Sequence, residues 1–213
     1  MAMTNELDRI IETLRGVDDE MADGIMRARA AQNGSASVGE ASDFEKSVRR
    51  LIEFMESNVQ SSEFMHVYES SVFPDEFIRA FSRFADLVGN RKKWDIKFDF
   101  PDWSYDPVSQ VAYNRDTWGN IHYGWIGRAL RFSEATLING AGYNQLGVHG
   151  NRHPNSWETV KGLFENGFGT FDDPRDLAAI RVGFKIWNTQ NSLPTPVFIL
   201  DSIRKEKMHL NTR

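Results

Sequence analysis

The stretch from Tyr113 to Arg128 combines an acid and a histidine with glycines and large aromatic residues. Asp116 and His122 have five residues between them, and a turn at Trp118 and Gly119 would fold the carboxylate back toward the imidazole. An Asp that orients a His is the usual pair for proton transfer. The spacing therefore predicts His122 as a general base oriented by Asp116. The alternative is that Asp116 ends a strand and His122 is a polar surface residue.

A helix that begins after Asn120 would place this pair at a helix N-terminus. Asn120 is a good cap for a helix from Ile121 to about Arg131, which would put His122 in the first turn. The helix dipole disfavours an imidazolium there, and the exposed amides can bind an anion. Asn120 is therefore predicted to bind substrate, while Gly124 and Gly127, one turn apart, are predicted to permit close helix packing.

Charged residues just before this stretch suggest a second part of the site. From Trp94 to Phe100 apolar and charged residues alternate, which predicts a half-buried strand with Asp95 and Lys97 on its polar face. Solvation is the simplest role for these two side chains, and substrate binding is the alternative. Tyr123 and Arg128 complete the predicted substrate-binding set.

Composition limits the chemistry that is available. The chain has 213 residues, of which 40% are hydrophobic, with a net charge of -5 and no cysteine. A folded domain is expected, and the negative charge disfavours nucleic acid without excluding it. Thiolate zinc sites and a Cys nucleophile are excluded. We predict no cofactor and no metal site, although the carboxylates leave room for a divalent cation such as Mg²⁺.

The predicted helices and linker divide the chain into two units. The apolar spacing in residues 4–30 predicts an amphipathic helical arm, and a Gly- and Ser-rich linker follows it. We therefore predict one unit from residue 1 to 41 and a second from residue 42 to 213. In the second unit Ser42 and Glu45 form a capping box that starts a helix. Another helix is predicted from Pro74 to a left-handed cap at Gly89 and Asn90.

Later signals complete the predicted architecture. Asp106 and Pro107 predict a turn that is followed by a returning strand. The many glycines of the Asn139–Gly169 region predict a loop-rich segment. Helix starts are predicted at Ser133, at Asp173 with Pro174 and at Thr195 with Pro196. The fold class is α+β, mainly α-helical with a small antiparallel β-hairpin around residues 94–114.

The chain resembles the polymorphic toxin type 44 domain over roughly residues 90–200. The shared motifs are Trp-Asp-Ile-Lys (Trp94 to Lys97), Asp-Thr-Trp-Gly-Asn-Ile-His-Tyr-Gly-Trp-Ile-Gly-Arg (Asp116 to Arg128), Asn-Gly-Ala-Gly (Asn139 to Gly142) and Asp-Asp-Pro-Arg-Asp-Leu-Ala-Ala-Ile-Arg (Asp172 to Arg181). The resemblance implies a secreted antibacterial toxin with a cognate immunity protein, and its pattern includes Asp95, Lys97, Asp116 and His122. It does not imply a known reaction.

The reaction and target remain open between several classes. The spacing of Asp116 and His122 is similar to that in colicin M-type enzymes, which cleave the lipid-linked peptidoglycan precursor at its pyrophosphate. This chain has Arg115 and Tyr123 where that pattern expects a tyrosine before the acid and an arginine after the His. From the shared spacing we predict a hydrolase that acts on the cell envelope, on peptidoglycan or on its lipid-linked precursor. The alternatives are a metal-independent ribonuclease and a non-catalytic module that binds a carrier or an inhibitor.

Delivery is predicted from the N-terminal residues. They show no basic region followed by an apolar stretch, so export by specialised machinery is expected, with residues 1–41 binding a carrier or chaperone. No apolar run is long enough to insert stably into a membrane. The target compartment is predicted to be the periplasm, with the cytoplasm as the alternative.

Overall fold

The computed structural model of the protein describes residues 41–149 and 173–213. The predicted arm, residues 4–30, and most of the linker lie outside these residues. In chain order the elements are α1 (Asp43–Val59), α2 (Ser62–Ser71), a 3-10 helix (Pro74–Glu76), α3 (Phe77–Val88), a second 3-10 helix (Ile96–Asp99), β1 (Trp103–Asp106), β2 (Val111–Asn114), α4 (Arg115–Ala129), α5 (Glu134–His149), α6 (Pro174–Gln190) and α7 (Pro196–Lys205). The predicted fold class, mainly helical with a small antiparallel hairpin, is confirmed.

Helix α1 begins as its sequence predicts. The hydroxyl of Ser42 accepts from the Glu45 backbone N–H at 3.2 Å, and the Glu45 carboxylate accepts from the Ser42 backbone N–H at 2.9 Å. This reciprocal capping box satisfies two donors that the helix would otherwise leave unpaired. The apolar stripe of α1 then packs into the core through Phe44, Val48, Leu51 and Met55.

The helix predicted from Pro74 begins there as the 3-10 helix Pro74–Glu76 and continues as α3 from Phe77, but its end differs from the prediction. Phe81 and Phe84 are buried, and Ala85 is exposed. The left-handed cap at Gly89 is wrong, because Gly89 has extended backbone with φ -60°, and the left-handed residue is Arg91 with φ 58°. The chain therefore turns two residues later than the glycine suggested.

The predicted strand from Trp94 to Phe100 is wrong. Residues Ile96–Asp99 form a 3-10 helix, and Phe98 is 41% exposed rather than inward. The hairpin instead joins β1 and β2 in the register Trp103↔Asn114 to Asp106↔Val111. Because the Asp106 turn is short, the residues directly before it pair with the returning strand, and the earlier alternating segment has no strand to pair with.

The C-terminal residues attach to this hairpin. Ala112 exchanges backbone hydrogen bonds with Arg213, and Tyr113 forms a bridge with Thr212. Asp106 accepts hydrogen bonds from the Val108 and Ser109 backbone N–H groups, as its predicted turn role requires. Its carboxylate is fully buried and also accepts two hydrogen bonds from the Arg204 guanidinium of α7, at 2.8 and 2.9 Å.

Helix α4 occupies the centre of the fold and packs closely against α6. A Cβ built on Gly124 would lie 2.2 Å from the Ile180 carbonyl oxygen, and one built on Gly183 would lie 2.3 Å from the Ile121 carbonyl oxygen. No side chain fits at either position, so these glycines permit the two backbones to approach. A Cβ on Gly127 would meet the Leu137 side chain at 2.4 Å. The predicted packing role of Gly124 and Gly127 is therefore confirmed.

The later helix starts are also confirmed. The hydroxyl of Ser133 accepts from the Thr136 backbone N–H at the start of α5. Asp173 caps α6, with Pro174 in its first turn, and Thr195 caps α7. Helix α5 continues to His149, so the part of the predicted loop from residue 139 to 149 is helical. The remainder of that predicted loop lies outside the described residues.

None of the helices in residues 41–149 and 173–213 combines the length and apolar character needed to cross a bilayer.

Candidate functional site

The first residues of α4 carry one half of the predicted catalytic pair. The helix begins at Arg115, and its cap is Asn114, whose side chain accepts from the Asp116 backbone N–H at 2.9 Å. The predicted cap at Asn120 and the predicted turn at Trp118 and Gly119 are therefore wrong. Trp118 is fully buried, and its packing favours one uninterrupted helix over a turn at this point.

Because α4 is continuous, Asp116 and His122 do not contact each other. Six helical positions separate them by about 9 Å along the axis and about 120° around it. Asp116 lies in the first turn with its side chain 43% exposed, whereas His122 lies two turns into the helix and is fully buried. The predicted contact between carboxylate and imidazole is wrong, and the two side chains belong to different environments.

Asp116 instead lies beside Lys97. The Lys97 Nζ is 3.8 Å from Asp116 Oδ1, and both side chains are partly exposed. A Cβ built on Gly119 would lie 3.1 Å from the Lys97 Cβ, so the small residue on α4 leaves space for the 3-10 helix that carries Lys97. The fold thus brings two of the predicted site residues together at the surface, although the strand predicted to carry Lys97 does not form.

Asn58 holds the imidazole of His122 from the other side of the core. The Asn58 side-chain Nδ2 is 2.9 Å from His122 Nε2, and Asn58 is 7% exposed. The other ring nitrogen, Nδ1, is buried and has no hydrogen-bond partner in the described part of the chain. His122 is therefore oriented by one nitrogen while the second is unpaired.

Burial keeps the His122 ring neutral. It lowers the pKa of His122 from 6.5 to about 3, since an imidazolium in the core would lose its hydration without gaining a carboxylate partner. With the Asn58 amide nitrogen as donor, Nε2 accepts and the proton lies on Nδ1. The amide turned the other way would present Oδ1, place the proton on Nε2 and leave Nδ1 as a proton acceptor.

The remaining predicted site residues are spread over the fold. Asp95 accepts a hydrogen bond from the Arg91 backbone N–H at 2.7 Å. Tyr123 stacks on an aromatic ring of α3 and donates its hydroxyl to a backbone carbonyl of α5 at 2.8 Å. Arg128 donates to the Phe132 carbonyl oxygen at 2.8 Å and to a side chain of α6. These contacts are internal to the fold, and Asn120 is half-buried on α4.

Other buried polar atoms cluster on the same helix as His122. In the described residues, buried side-chain atoms without a hydrogen-bond partner are the Nε1 atoms of Trp94, Trp118 and Trp125, Oγ1 of Thr117 and Nδ1 of His122. Four of these five residues belong to α4. An unpaired buried polar atom costs about 1 to 3 kcal/mol, so this helix carries an unusual concentration of unfavourable groups.

One surface pocket lies apart from these residues. A surface pocket of about 300 Å³ lies between α1 and the segment from Asp99 to Pro101, and none of the predicted site residues lines it. In the same described ranges, no three His, Cys, Asp or Glu side chains come together as a metal-binding group.

Asn58 was missed by sequence reasoning, although a signal was present. It follows Leu51 and Met55 at the spacing of the buried stripe of α1, so it is a polar residue on an apolar face. Such a residue needs a hydrogen-bonding partner in the core, which here is His122.

Comparison with known proteins identifies the family. The family model of bacterial toxin 44 matches residues 83–189, just over half of the chain, and this range includes Lys97, Asp116 and His122 but not Asn58. No curated protein and no solved structure matches the chain. The chain therefore belongs to the bacterial toxin 44 family of polymorphic toxin domains.

Proposed function

We propose that this toxin is a hydrolase of the bacterial cell envelope in which His122 transfers the proton. The observation that carries the proposal is the state of the imidazole: neutral, oriented through Nε2 by Asn58, and unpaired at Nδ1. A base oriented by a second side chain is the arrangement that proton-transfer sites use. In this proposal the Asn58 amide presents Oδ1 to a protonated Nε2, which makes Nδ1 the proton acceptor. Asn58 thus takes the orienting role that the sequence assigned to Asp116.

The low pKa of His122 constrains the substrate. A ring with a pKa of about 3 is a weak base at neutral pH. A negative charge placed next to Nδ1 would stabilise the imidazolium and raise that pKa toward the operating range. An anionic substrate therefore suits the site. Because His122 is fully buried, the side chains that enclose it must move before a substrate reaches Nδ1.

Asp116 and Lys97 are proposed to bind the substrate at the surface. Their charged atoms are 3.8 Å apart, close enough to attract each other but beyond hydrogen-bond distance. Both side chains are partly exposed, so a ligand can contact either of them.

The wider proposal follows from the family. A toxin of this kind is delivered into a target bacterium and is neutralised by a cognate immunity protein in related cells. We place residues 1–41 in carrier or chaperone binding and residues 42–213 in toxicity. The periplasm is the proposed target compartment, since the envelope precursors are consumed there.

Substitutions at position 122 test the catalytic proposal. His122→Gln keeps a polar group near Asn58 but cannot transfer a proton, so toxicity should fall at least about a hundredfold. Thr117→Val is the matched control, because it also changes a buried unpaired polar atom on α4 while leaving the imidazole intact. It should retain toxicity. Full toxicity of a folded His122→Gln protein, checked by urea unfolding, would assign the ring to core packing.

Expression with and without an export signal tests the target. An envelope hydrolase should lyse cells only when it is exported, and RNA should remain intact. Growth arrest with rapid RNA cleavage by the unexported form would instead identify the ribonuclease alternative. A His122→Gln protein run in parallel shows whether either effect depends on the imidazole.

A further inference from the structure

Three cationic side chains surround the exposed ring of Phe98. The Arg91 and Arg115 guanidinium carbons lie 4.8 and 5.2 Å from the ring centroid, and Lys97 Nζ lies 5.5 Å from it. Each contact with an exposed ring contributes about 0.5 to 1 kcal/mol, while the cations repel one another. We define Arg91, Lys97, Phe98 and Arg115 as the Phe98 surface.

The charges of the Phe98 surface are unequally neutralised. Arg115 pairs with Asp102 at 2.9 Å, and Lys97 lies 3.8 Å from Asp116. In the described part of the chain, the Arg91 guanidinium has no ion pair with an acid. A guanidinium that stacks on a ring uses its plane for that contact and keeps its N–H donors for a further ligand. Arg91 is therefore the group best placed to receive an added anion.

The backbone holds Arg91 in this position. Its φ of 58° is in the left-handed region, which costs a residue with a side chain about 1 kcal/mol. The Asp95 carboxylate stabilises that conformation by accepting from the Arg91 backbone N–H at 2.7 Å. The predicted site residue Asp95 thus acts on Arg91 through the backbone, leaving the guanidinium above Phe98.

We propose that the Phe98 surface binds the phosphate groups of a compact anionic ligand of the diphosphate class. The Arg91 guanidinium is the main anion-binding group of this surface, and Lys97 and Arg115 beside it add positive charge for a ligand with more than one negative charge in a small volume. The acids beside these cations, Asp102 and Asp116, would repel a long phosphate backbone that extended past the ring. The net charge of -5 has the same effect at longer range, so the charge distribution favours a small ligand over a polynucleotide.

This inference deepens the proposed function and rests on it for the identity of the substrate. A lipid-linked envelope precursor contains a diphosphate, so the Phe98 surface would bind the charged part of the substrate. A soluble diphosphate has the same chemistry. Binding itself can be measured without any toxic activity, which keeps the two proposals separate.

Titration calorimetry with sodium pyrophosphate at low ionic strength tests the surface directly. The full chain should bind pyrophosphate, and Arg91→Gln should weaken binding about tenfold because one charge-assisted hydrogen bond is lost. Phe98→Leu removes the ring beneath the cations and should weaken binding as well. Arg50→Gln is the matched control. Arg50 also stacks on an aromatic ring, with its guanidinium carbon 4.4 Å from the centroid of the partly buried Phe54, but it pairs with Glu53. It should bind like the wild type.

Further ligands separate the sources of the diphosphate. A polyprenyl diphosphate in detergent micelles that binds more tightly than pyrophosphate, with the same dependence on Arg91, would support the lipid-linked precursor. Equal binding of both would support a soluble diphosphate. His122→Gln should bind pyrophosphate like the wild type even where toxicity is lost, so failure of the catalytic proposal leaves this measurement intact.

Three results would overturn the inference. The first is no measurable pyrophosphate binding by the wild type. The second is an equal loss of binding in Arg91→Gln and Arg50→Gln, which would indicate a general charge effect. The third is a single-stranded RNA that binds more tightly than pyrophosphate and increasingly so with length, which would identify a nucleic-acid surface.

Discussion

Acid should destabilise this protein through His122, and the size of the effect follows from burial. The pKa of His122 is about 3 in the folded protein and 6.5 for a solvated histidine, as in the unfolded chain. Between these values the unfolded chain binds a proton at this position and the folded protein does not. Stability from this group is therefore fully present above pH 6.5 and is lost as the pH falls toward 3.

The expected loss is measurable well before the protein unfolds completely. From pH 7 to pH 5 the free energy of unfolding should fall by about 2 kcal/mol through His122 alone, because each unit of pKa difference corresponds to about 1.4 kcal/mol. By pH 3 the accumulated loss would reach about 4 kcal/mol, a large part of the stability of an ordinary domain.

Urea unfolding of wild type and His122→Gln at pH 7 and pH 5 isolates this contribution. Other titrating groups change both proteins alike, so the wild type should lose about 2 kcal/mol more than the variant between these two conditions. The titration of the imidazole, followed by NMR, should show no protonation down to pH 5. An equal pH dependence of the two proteins would refute the argument, since it would mean that the ring is hydrated or paired with an acid.

Three other predictions follow from the packing and the caps. Gly183→Ala should destabilise the fold by about 2 kcal/mol or more in urea unfolding, because its Cβ would lie 2.3 Å from a carbonyl oxygen of α4. Gly119→Ala should cost less, because the nearest atom to its Cβ would be the Lys97 Cβ at 3.1 Å and the Lys97 backbone would lie no closer than 3.8 Å. Asp106→Asn should cost about 3 kcal/mol by weakening a buried ion pair, whereas Glu53→Gln, in an exposed pair, should cost below about 0.5 kcal/mol; equal costs would show that burial is irrelevant. Removal of residues 1–40, which spares the α1 cap, should leave a protein that unfolds cooperatively and remains toxic, and loss of toxicity in such a folded protein would contradict the proposed division.

Helix starts were predictable because they depend on neighbouring residues. The capping box of Ser42 and Glu45, the Asp173 cap and the Thr195 cap all form as predicted. In each case a side chain satisfies a backbone N–H two or three residues away, so no distant part of the chain is needed. The buried face of α1 is equally predictable from the sequence, because the spacing of its apolar residues shows which side of the helix packs into the core.

The segment from Trp94 to Phe100 shows where local pattern fails. Its alternation matches a strand, but a strand exists only when another strand pairs with it, and β2 pairs with Trp103–Asp106 instead. Asn120 failed for a related reason. It is a good cap by type, yet Asn114 caps α4 six residues earlier, and the burial of Trp118 between them favours a continuous helix.

The family, the fold class, most helix starts and the residue types available for chemistry were predictable from the chain alone, because they depend on composition and on neighbouring residues. Which side chains meet depends on how the helices and the hairpin pack together. This packing separated Asp116 from His122, placed Lys97 beside Asp116, and brought Asn58 from α1 to the imidazole. Contacts between residues far apart in sequence depend on which helices pack together. The spacing of Gly124 and Gly127 indicated a close approach, but no local pattern specified that the partner of Gly124 is Ile180 of α6.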